Sequence, residues 1–193
     1  MYLVFDTETT DLPQYKLAAD HPLQARVIQL ACLLLDKGFR PMGQFCALIQ
    51  PNCWHISEGA KAAHGIDEDT CARYGVPIED AIAVFERFVL NANYLVAHNI
   101  KFDMFLVQSE LTRLARVSRS ANMQQVCTML TTTPLCKLPG RYGQYKWPKL
   151  AEAYDWAFKE ELKDAHDALV DCKATARLLQ ALVQRQLLIL SAN

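Results

Sequence analysis

No stretch of this 193-residue chain is apolar for the roughly 18–20 residues that a membrane-spanning helix requires; its longest apolar runs are short and interrupted. Seven cysteines include no Cys-x-x-Cys pair, and their number is odd. That argues against a disulfide framework and for reduced thiols in an intracellular, cytoplasmic setting. His-Glu-x-x-His is absent too, so no zinc-type ligand spacing occurs. The N-terminus enters an apolar strand without a basic leader, so no secretory signal is expected. There is no internal repeat, low-complexity tract or linker, and a net charge of −1 does not announce nucleic acid. One absence is local. Between Leu111 and Ala151 there is no Asp or Glu, whereas Arg113, Arg116, Arg119, Lys137, Arg141, Lys146 and Lys149 put +7 there and leave about −8 on the remainder. Two readings fit: a phosphate-binding rim beside an acidic site, or a solvated basic surface.

A hydrophobic content of 51% over 193 residues suits one domain, 1–193, with a well-filled core. Residues 2–6 read as a buried strand, 12–25 as a loop, and 26–35 with 39–50 as a hairpin turning at Gly38. Helices are expected at 57–64 and 77–90. The second is amphipathic through Ile78, Ala81, Ile82, Phe85 and Val89. A buried strand follows at 94–97, a helix from Asp103 to about Arg116, and an edge strand at 125–129. Helices at 150–157 and from Ala168 to about Leu190 complete the chain. Early antiparallel strands followed by strand–helix alternation predict an α/β fold, a mixed sheet flanked by helices.

The most informative motif is Asp6-Thr7-Glu8, at the end of Tyr2-Leu3-Val4-Phe5. Residues two apart on a strand share a face. Asp6 and Glu8 therefore converge, and two desolvated anions side by side are costly unless something cationic neutralises them. A hard divalent cation answers that need; a strand ending in a polar turn is the plainer alternative. Two later segments add to it. Val96-Ala97-His98-Asn99-Ile100-Lys101-Phe102-Asp103 sets Asp103 beside a strand end, and Asp164-Ala165-His166-Asp167-Ala168-Leu169-Val170-Asp171 opens the last helix.

In order and context these motifs resemble the DEDDh (DnaQ-like) 3′–5′ exonucleases, nearest to the proofreading, epsilon-type subunits of bacterial replicative polymerases. Ala62-Ala63-His64-Gly65-Ile66, Arg26-Val27-Ile28-Gln29-Leu30-Ala31 and Trp147-Pro148-Lys149-Leu150 extend the resemblance over nearly the whole chain. It implies the ribonuclease H-like fold with a five-stranded sheet. It also implies two Mg2+ (or Mn2+) ions, with Asp6 bridging both, Glu8 and Asp171 on the ion that activates water, and Asp103 acting mostly through bound waters. Two such ions about 3.5–4 Å apart neutralise the phosphate, activate water and relieve charge on the leaving oxygen. Oxygen-only ligands favour Mg2+ or Mn2+ over zinc.

His166 is the candidate general base, since imidazole can take a proton from water near neutrality. Five residues advance about 500° around a helix, so His166 and Asp171 would stand about 140° apart if both were helical. His166 is therefore expected on the loop before the helix. The sister subclass carries Tyr four positions before the final Asp; here that position is Asp167, so the chain is of the His type. Thr7, Thr9 and Thr10 occupy the positions where relatives cradle the terminal nucleotide, although Asp11 stands where relatives often have Gly. His64 either approaches that nucleotide or is a hydrogen-bonded loop residue. Asn99 is expected to secure the strand–helix turn, and Phe102 to pack beneath the site or against a base, with core packing favoured. Arg141 and Lys146 are candidate phosphate contacts. Tyr142, Tyr145 and Trp147 either stack on single-stranded bases or form a loop-anchoring mini-core. Gly140-Arg141-Tyr142-Gly143 is read as a turn. Gln186-Leu187-Leu188-Ile189-Leu190 faintly resembles a sliding-clamp-binding peptide without its usual aromatic, and is read as the apolar end of the last helix.

The resemblance implies a metal-dependent 3′–5′ exonuclease releasing nucleoside 5′-monophosphates from single-stranded or frayed DNA 3′ ends. RNA 3′-end trimming is the alternative, because sensing a 2′-OH depends on packing that spacing does not reveal. A non-catalytic polymerase-associated subunit is a weaker rival, since all five expected side chains are present. A DNA polymerase or sliding clamp is a candidate partner; a membrane is not.

Overall fold

The structure, a computed structural model, describes residues 1–163 and 165–190. Asp164 lies outside the described residues. Five strands form one mixed sheet in the order β3-β2-β1-β4-β5: β1 Tyr2–Thr9, β2 Val27–Leu35, β3 Pro41–Leu48, β4 Tyr94–Ala97 and β5 Gln124–Cys127. β1 runs antiparallel to β2, and β2 to β3, whereas β4 and β5 are parallel to β1. The hairpin turns at Asp36–Gly38 as expected, and all nine residues of β2 are buried. A strand without an exposed face needs cover on both sides, and helices supply it.

On one face lie α3 (Ile78–Asn91) and α4 (Ile100–Arg113), packed on Leu3, Phe5 and Leu95. The five apolar residues that define the amphipathic stripe of α3 are the five it buries. On the other face α7 (Ala168–Gln184) sets Cys172, Ala176 and Leu179 against Tyr2, Val4 and Val96. α6 (Leu150–Phe158) packs outside α7 through Ala153 and Ala157. A buried carboxylate joins the layers. Glu110 of α4, 1% exposed, takes a two-pronged bond from Arg26 (2.8 and 3.0 Å), a 3.3 Å contact from Arg113 and the Val27 N–H (3.2 Å). This ties the start of β2 to the helix that carries Asp103.

Several expectations need correction. β1 extends to Thr9, three residues past the expected end at Asp6, because β2 continues to pair with it. Helix α1 (Glu58–His64) is where it was expected, and α2 (Glu68–Tyr74), capped by the Asp67 side chain, fills a stretch to which the sequence reading assigns no element. The edge strand ends at Cys127, and Thr128 and Met129 open α5 (Thr128–Cys136). Three threonines and Pro134 disguise that helix. Thr131, Thr132 and Thr133 bond back to carbonyls four residues earlier, so their hydroxyls do not compete with the helix. α7 stops at Gln184, not near Leu190. Gln186 turns left-handed (φ 58°), and Leu188 and Leu190 fold onto the α7 side of the sheet. All seven cysteines are free, and among the described residues no helix is long and apolar enough to cross a membrane.

Candidate active site

Pairing between β1 and β4 stops at Val4 and Val96, while β1 continues along β2 to Thr9. The open β1 edge beyond Val4 needs partners for its backbone. Asp103, in the first turn of α4, supplies one: its Oδ1 accepts from the Thr7 N–H (3.0 Å) and the Thr7 hydroxyl (2.8 Å). α4 can start directly after β4 because Asn99 takes the left-handed backbone (φ 75°), a conformation Asn tolerates. Asn99 thus secures the turn through its backbone, without a side-chain cap bond.

Strand alternation places Asp6 and Glu8 on the α7 side of β1, with Tyr2 and Val4. There α7 contributes Asp171 from its first turn. Its start is fixed twice. The Asp167 side chain accepts from Leu169 and Val170 N–H (3.0 Å each), and Gln29 of β2 accepts from Ala168 N–H (3.0 Å). Just before the helix, on the loop as expected, His166 has left-handed backbone (φ 73°) and donates its N–H to Asp171 Oδ2 (3.3 Å). One ligand-capable atom each from Glu8, His166 and Asp171 lies within 4.8 Å of the others.

The cluster is electrostatically strained without a cation. Burial, then repulsion from Asp103, Asp171 and Glu8, drives the Asp6 pKa far above the usual carboxylate range. Burial first, then Asp171 and Asp103, lifts Glu8 to about 8. Asp103 rises to about 7, pushed by burial and restrained by the two Thr7 bonds. Asp171 is raised by burial against the pull of the His166 N–H. Its Oδ1 is buried and has no hydrogen-bond partner among the described residues. Oxygen donors, excess negative charge and an orphaned carboxylate oxygen together fit a hard divalent cation, with Glu8 and Asp171 close enough to share one.

These residues line one cavity of about 530 Å³, together with Thr7, Thr9, His64, Phe102 and Asp103. His64 is fixed through both nitrogens. The Ile66 N–H (3.0 Å) donates to Nδ1, so Nε2 carries the hydrogen given to Thr9 O (3.2 Å). Burial lowers its pKa against the opposing pull of the Thr9 carbonyl. His64 is thus both a cavity wall and a clamp on the end of β1. Phe102 likewise lines the cavity while packing on the core.

Thr10, Asn99, Arg141 and Lys146 do not line the cavity. The Thr10 hydroxyl accepts from Arg26 N–H (2.9 Å), and Lys146 pairs with Glu152 (2.6 Å). Sequence reasoning missed Leu12 and the Gly59, Ala60 and Ala63 wall of α1, as well as His98. Small residues at helical spacing beside His64 were the available signal for α1. His98 had none beyond its place in the motif.

A family model for exonucleases (RNase_T) matches residues 3–179. The chain belongs to the exonuclease family. An uncharacterized exonuclease, CP81, of Escherichia phage 186 is 25% identical over 187 residues, covering 94% of this chain and 88% of the phage protein. The PolC-type DNA polymerase III of Caldanaerobacter subterraneus subsp. tengcongensis is 27% identical over 185 residues, 95% of this chain but 12% of the polymerase. E. coli Exonuclease I in complex with a dA16 oligonucleotide superposes with a TM-score of 0.75 at 18% identity, over 96% of this chain and 41% of that one. The chain thus spans less than half the length of Exonuclease I and about an eighth of the polymerase. The exonuclease fold accounts for the five-stranded mixed sheet and its helices, as the motif order implied.

Proposed function

We propose that this exonuclease removes nucleoside 5′-monophosphates from single-stranded or frayed DNA 3′ ends, with residues 1–193 acting as one exonuclease domain in the cytoplasm. The observation that carries the reading is the convergence of Asp6, Glu8, Asp103 and Asp171 on one cavity, where a buried Asp171 oxygen is unpartnered. Two Mg2+ (or Mn2+) ions, when bound, would neutralise the scissile phosphate and acidify water. Asp6, Glu8 and Asp171 would hold them, and Thr7 fixes Asp103 in the cavity wall through its Oδ1. His166, exposed beside Glu8 and Asp171, accepts the proton of the attacking water at a ring nitrogen. Thr7, Thr9, His64 and Phe102 form walls of the cavity that receives the terminal nucleotide.

DNA is favoured over RNA because E. coli Exonuclease I, one structural neighbour, is in complex with a deoxyoligonucleotide. Work beside a polymerase is a second reading, motivated by the PolC match at domain scale. The clamp-like Gln186–Leu190 segment does not support a clamp contact, because Leu188 and Leu190 are packed on the sheet. Digestion of 5′-labelled DNA and RNA of one sequence in Mg2+ tests the proposal. A ladder shortening from the 3′ end, faster on DNA and abolished by a 3′ block, is expected. Protection by a 5′ block, or equal loss of internal fragments, would overturn it.

A further inference from the structure

Residues 137–149 form a second element beside the cavity whose chemistry the hydrolytic site does not use. Pro139 and Tyr145 pair as an antiparallel bridge, and Lys146 N–H donates to Leu138 O (3.1 Å), closing a short hairpin. Gly140 permits the closure: a Cβ there would lie 2.4 Å from Gln144 O and 2.7 Å from Lys146 N. The tip is a turn closed by Gln144 N–H to Arg141 O (3.1 Å), with positive φ at both central residues, Tyr142 (54°) and Gly143 (75°). That is the mirror-image turn hairpins prefer, and tyrosine rarely adopts it.

The mini-core alternative for the aromatics fails. Tyr142 is 99% exposed, Trp147 65% and Tyr145 49%. The cations sort in the same direction. Within the acid-free stretch, Arg113, Arg116 and Lys146 are paired with Glu110, Glu86 and Glu152, and Arg119 binds the carbonyls of Leu90 and Ala92. The other three, Lys137, Arg141 and Lys149, belong to this element and form no ion pair among the described residues. The hairpin is also attached to the cavity. Pro148 O can only accept, so His98 Nε2 donates to it (3.0 Å), and His98 lines the cavity. Trp147 is therefore one residue from the cavity wall.

We propose that this hairpin is a stacking subsite for single-stranded DNA upstream of the scissile bond, with bases on Tyr142 and Trp147 and phosphates on Lys137, Arg141 and Lys149. Exposed aromatics interleaved with unpaired cations are the chemistry that holds single strands without reading sequence. From Pro148 to Tyr142 the chain reaches at most about 20 Å. The subsite therefore engages strands several nucleotides long and not a dinucleotide. The inference rests on the exonuclease reading for the direction of the strand, but its test does not need hydrolysis.

Fluorescence anisotropy of 5′-fluorescein-dT12 in EDTA compares wild type with Tyr142→Ala and Trp147→Ala. Each lost ring should weaken binding by about 5- to 150-fold, while Tyr142→Phe, which keeps the stacking face, should bind like wild type. In Mg2+, the alanine variants should show a KM deficit that grows from dT2 to dT12. Alanine variants that bind dT12 like wild type would overturn the subsite, as would a deficit equal at both lengths or a wild type that does not bind dT12. A wild type that binds dT12 with this aromatic dependence yet never hydrolyses it would support the subsite and sink the exonuclease reading.

Discussion

Raising the pH from 6.5 to 8 in EDTA should lower the melting temperature of this protein, the reverse of what paired surface carboxylates do. In the fold Glu8 titrates at about 8 and Asp103 at about 7, against ordinary values of 4.5 and 3.8, and burial with like-charge repulsion also raises Asp6 well above 3.8. Across this window the unfolded chain has released these protons, while the folded one holds that of Asp103 up to about pH 7 and that of Glu8 up to about pH 8. The folded state binds more protons, so stability falls as pH rises. Each carboxylate still protonated in the fold contributes about 1.4 kcal/mol per pH unit, or about 2 kcal/mol over the window. For a chain of this length that is a drop of about 4–8 °C per such group. One other group acts inside the window: the Met1 ammonium, lowered from 8.0 by burial, favours the fold as pH rises and opposes the trend in part. Asp36, Asp67, Glu68 and Glu160 have lowered values and finish titrating in acid. His64 and His98, lowered by burial, act in the opposite sense but only below about pH 6.5. Differential scanning calorimetry at three pH values, with and without Mn2+, reads the effect. Mn2+ should raise the melting temperature most at pH 8, and Asp6→Asn in EDTA should flatten the slope. A melting temperature that is constant or rises from pH 6.5 to 8 in EDTA would refute the reasoning that the cluster is strained without a cation.

Glu110→Gln strips the charge that Arg26 and Arg113 share and should cost about 3–5 kcal/mol in urea unfolding, because two guanidinium groups lose a buried counter-charge. His166→Ala leaves all four carboxylates in place. Mn2+ binding followed by calorimetry should be nearly unchanged while hydrolysis slows by about 10²–10⁴-fold, the range of positioned acid–base catalysis. Equal losses of both would assign His166 to ion binding instead.

The site was legible where chemistry depends on local spacing. Asp6 and Glu8 share a face because a strand alternates, and His166 had to leave the helix because five residues carry it too far around to meet Asp171. The five apolar positions of α3 were legible for the same reason. What sequence concealed was set by distant partners. β1 reaches Thr9 because β2 pairs with it, and α5 forms although its threonines and Pro134 disfavour a helix. Of the seven cations in the acid-free stretch, only the structure tells which already have carboxylate partners in Glu86, Glu110 and Glu152. Thr10 appeared to belong with Thr7 and Thr9, yet its hydroxyl takes the Arg26 N–H and it stands outside the cavity. Side-chain destination in a loop after a bulged strand end is a tertiary property that local pattern does not encode.

The central claim is that the carboxylate cluster at the end of β1 is a divalent-metal hydrolytic centre. The direct test is single-turnover hydrolysis of 5′-labelled single-stranded DNA by wild type and Asp6→Ala in saturating Mg2+, with circular dichroism confirming that both are folded. Nucleotide-by-nucleotide shortening from the 3′ end by wild type, abolished by EDTA and by Asp6→Ala, is the predicted result. Undiminished hydrolysis by the folded Asp6→Ala protein, or by wild type in EDTA, would contradict it.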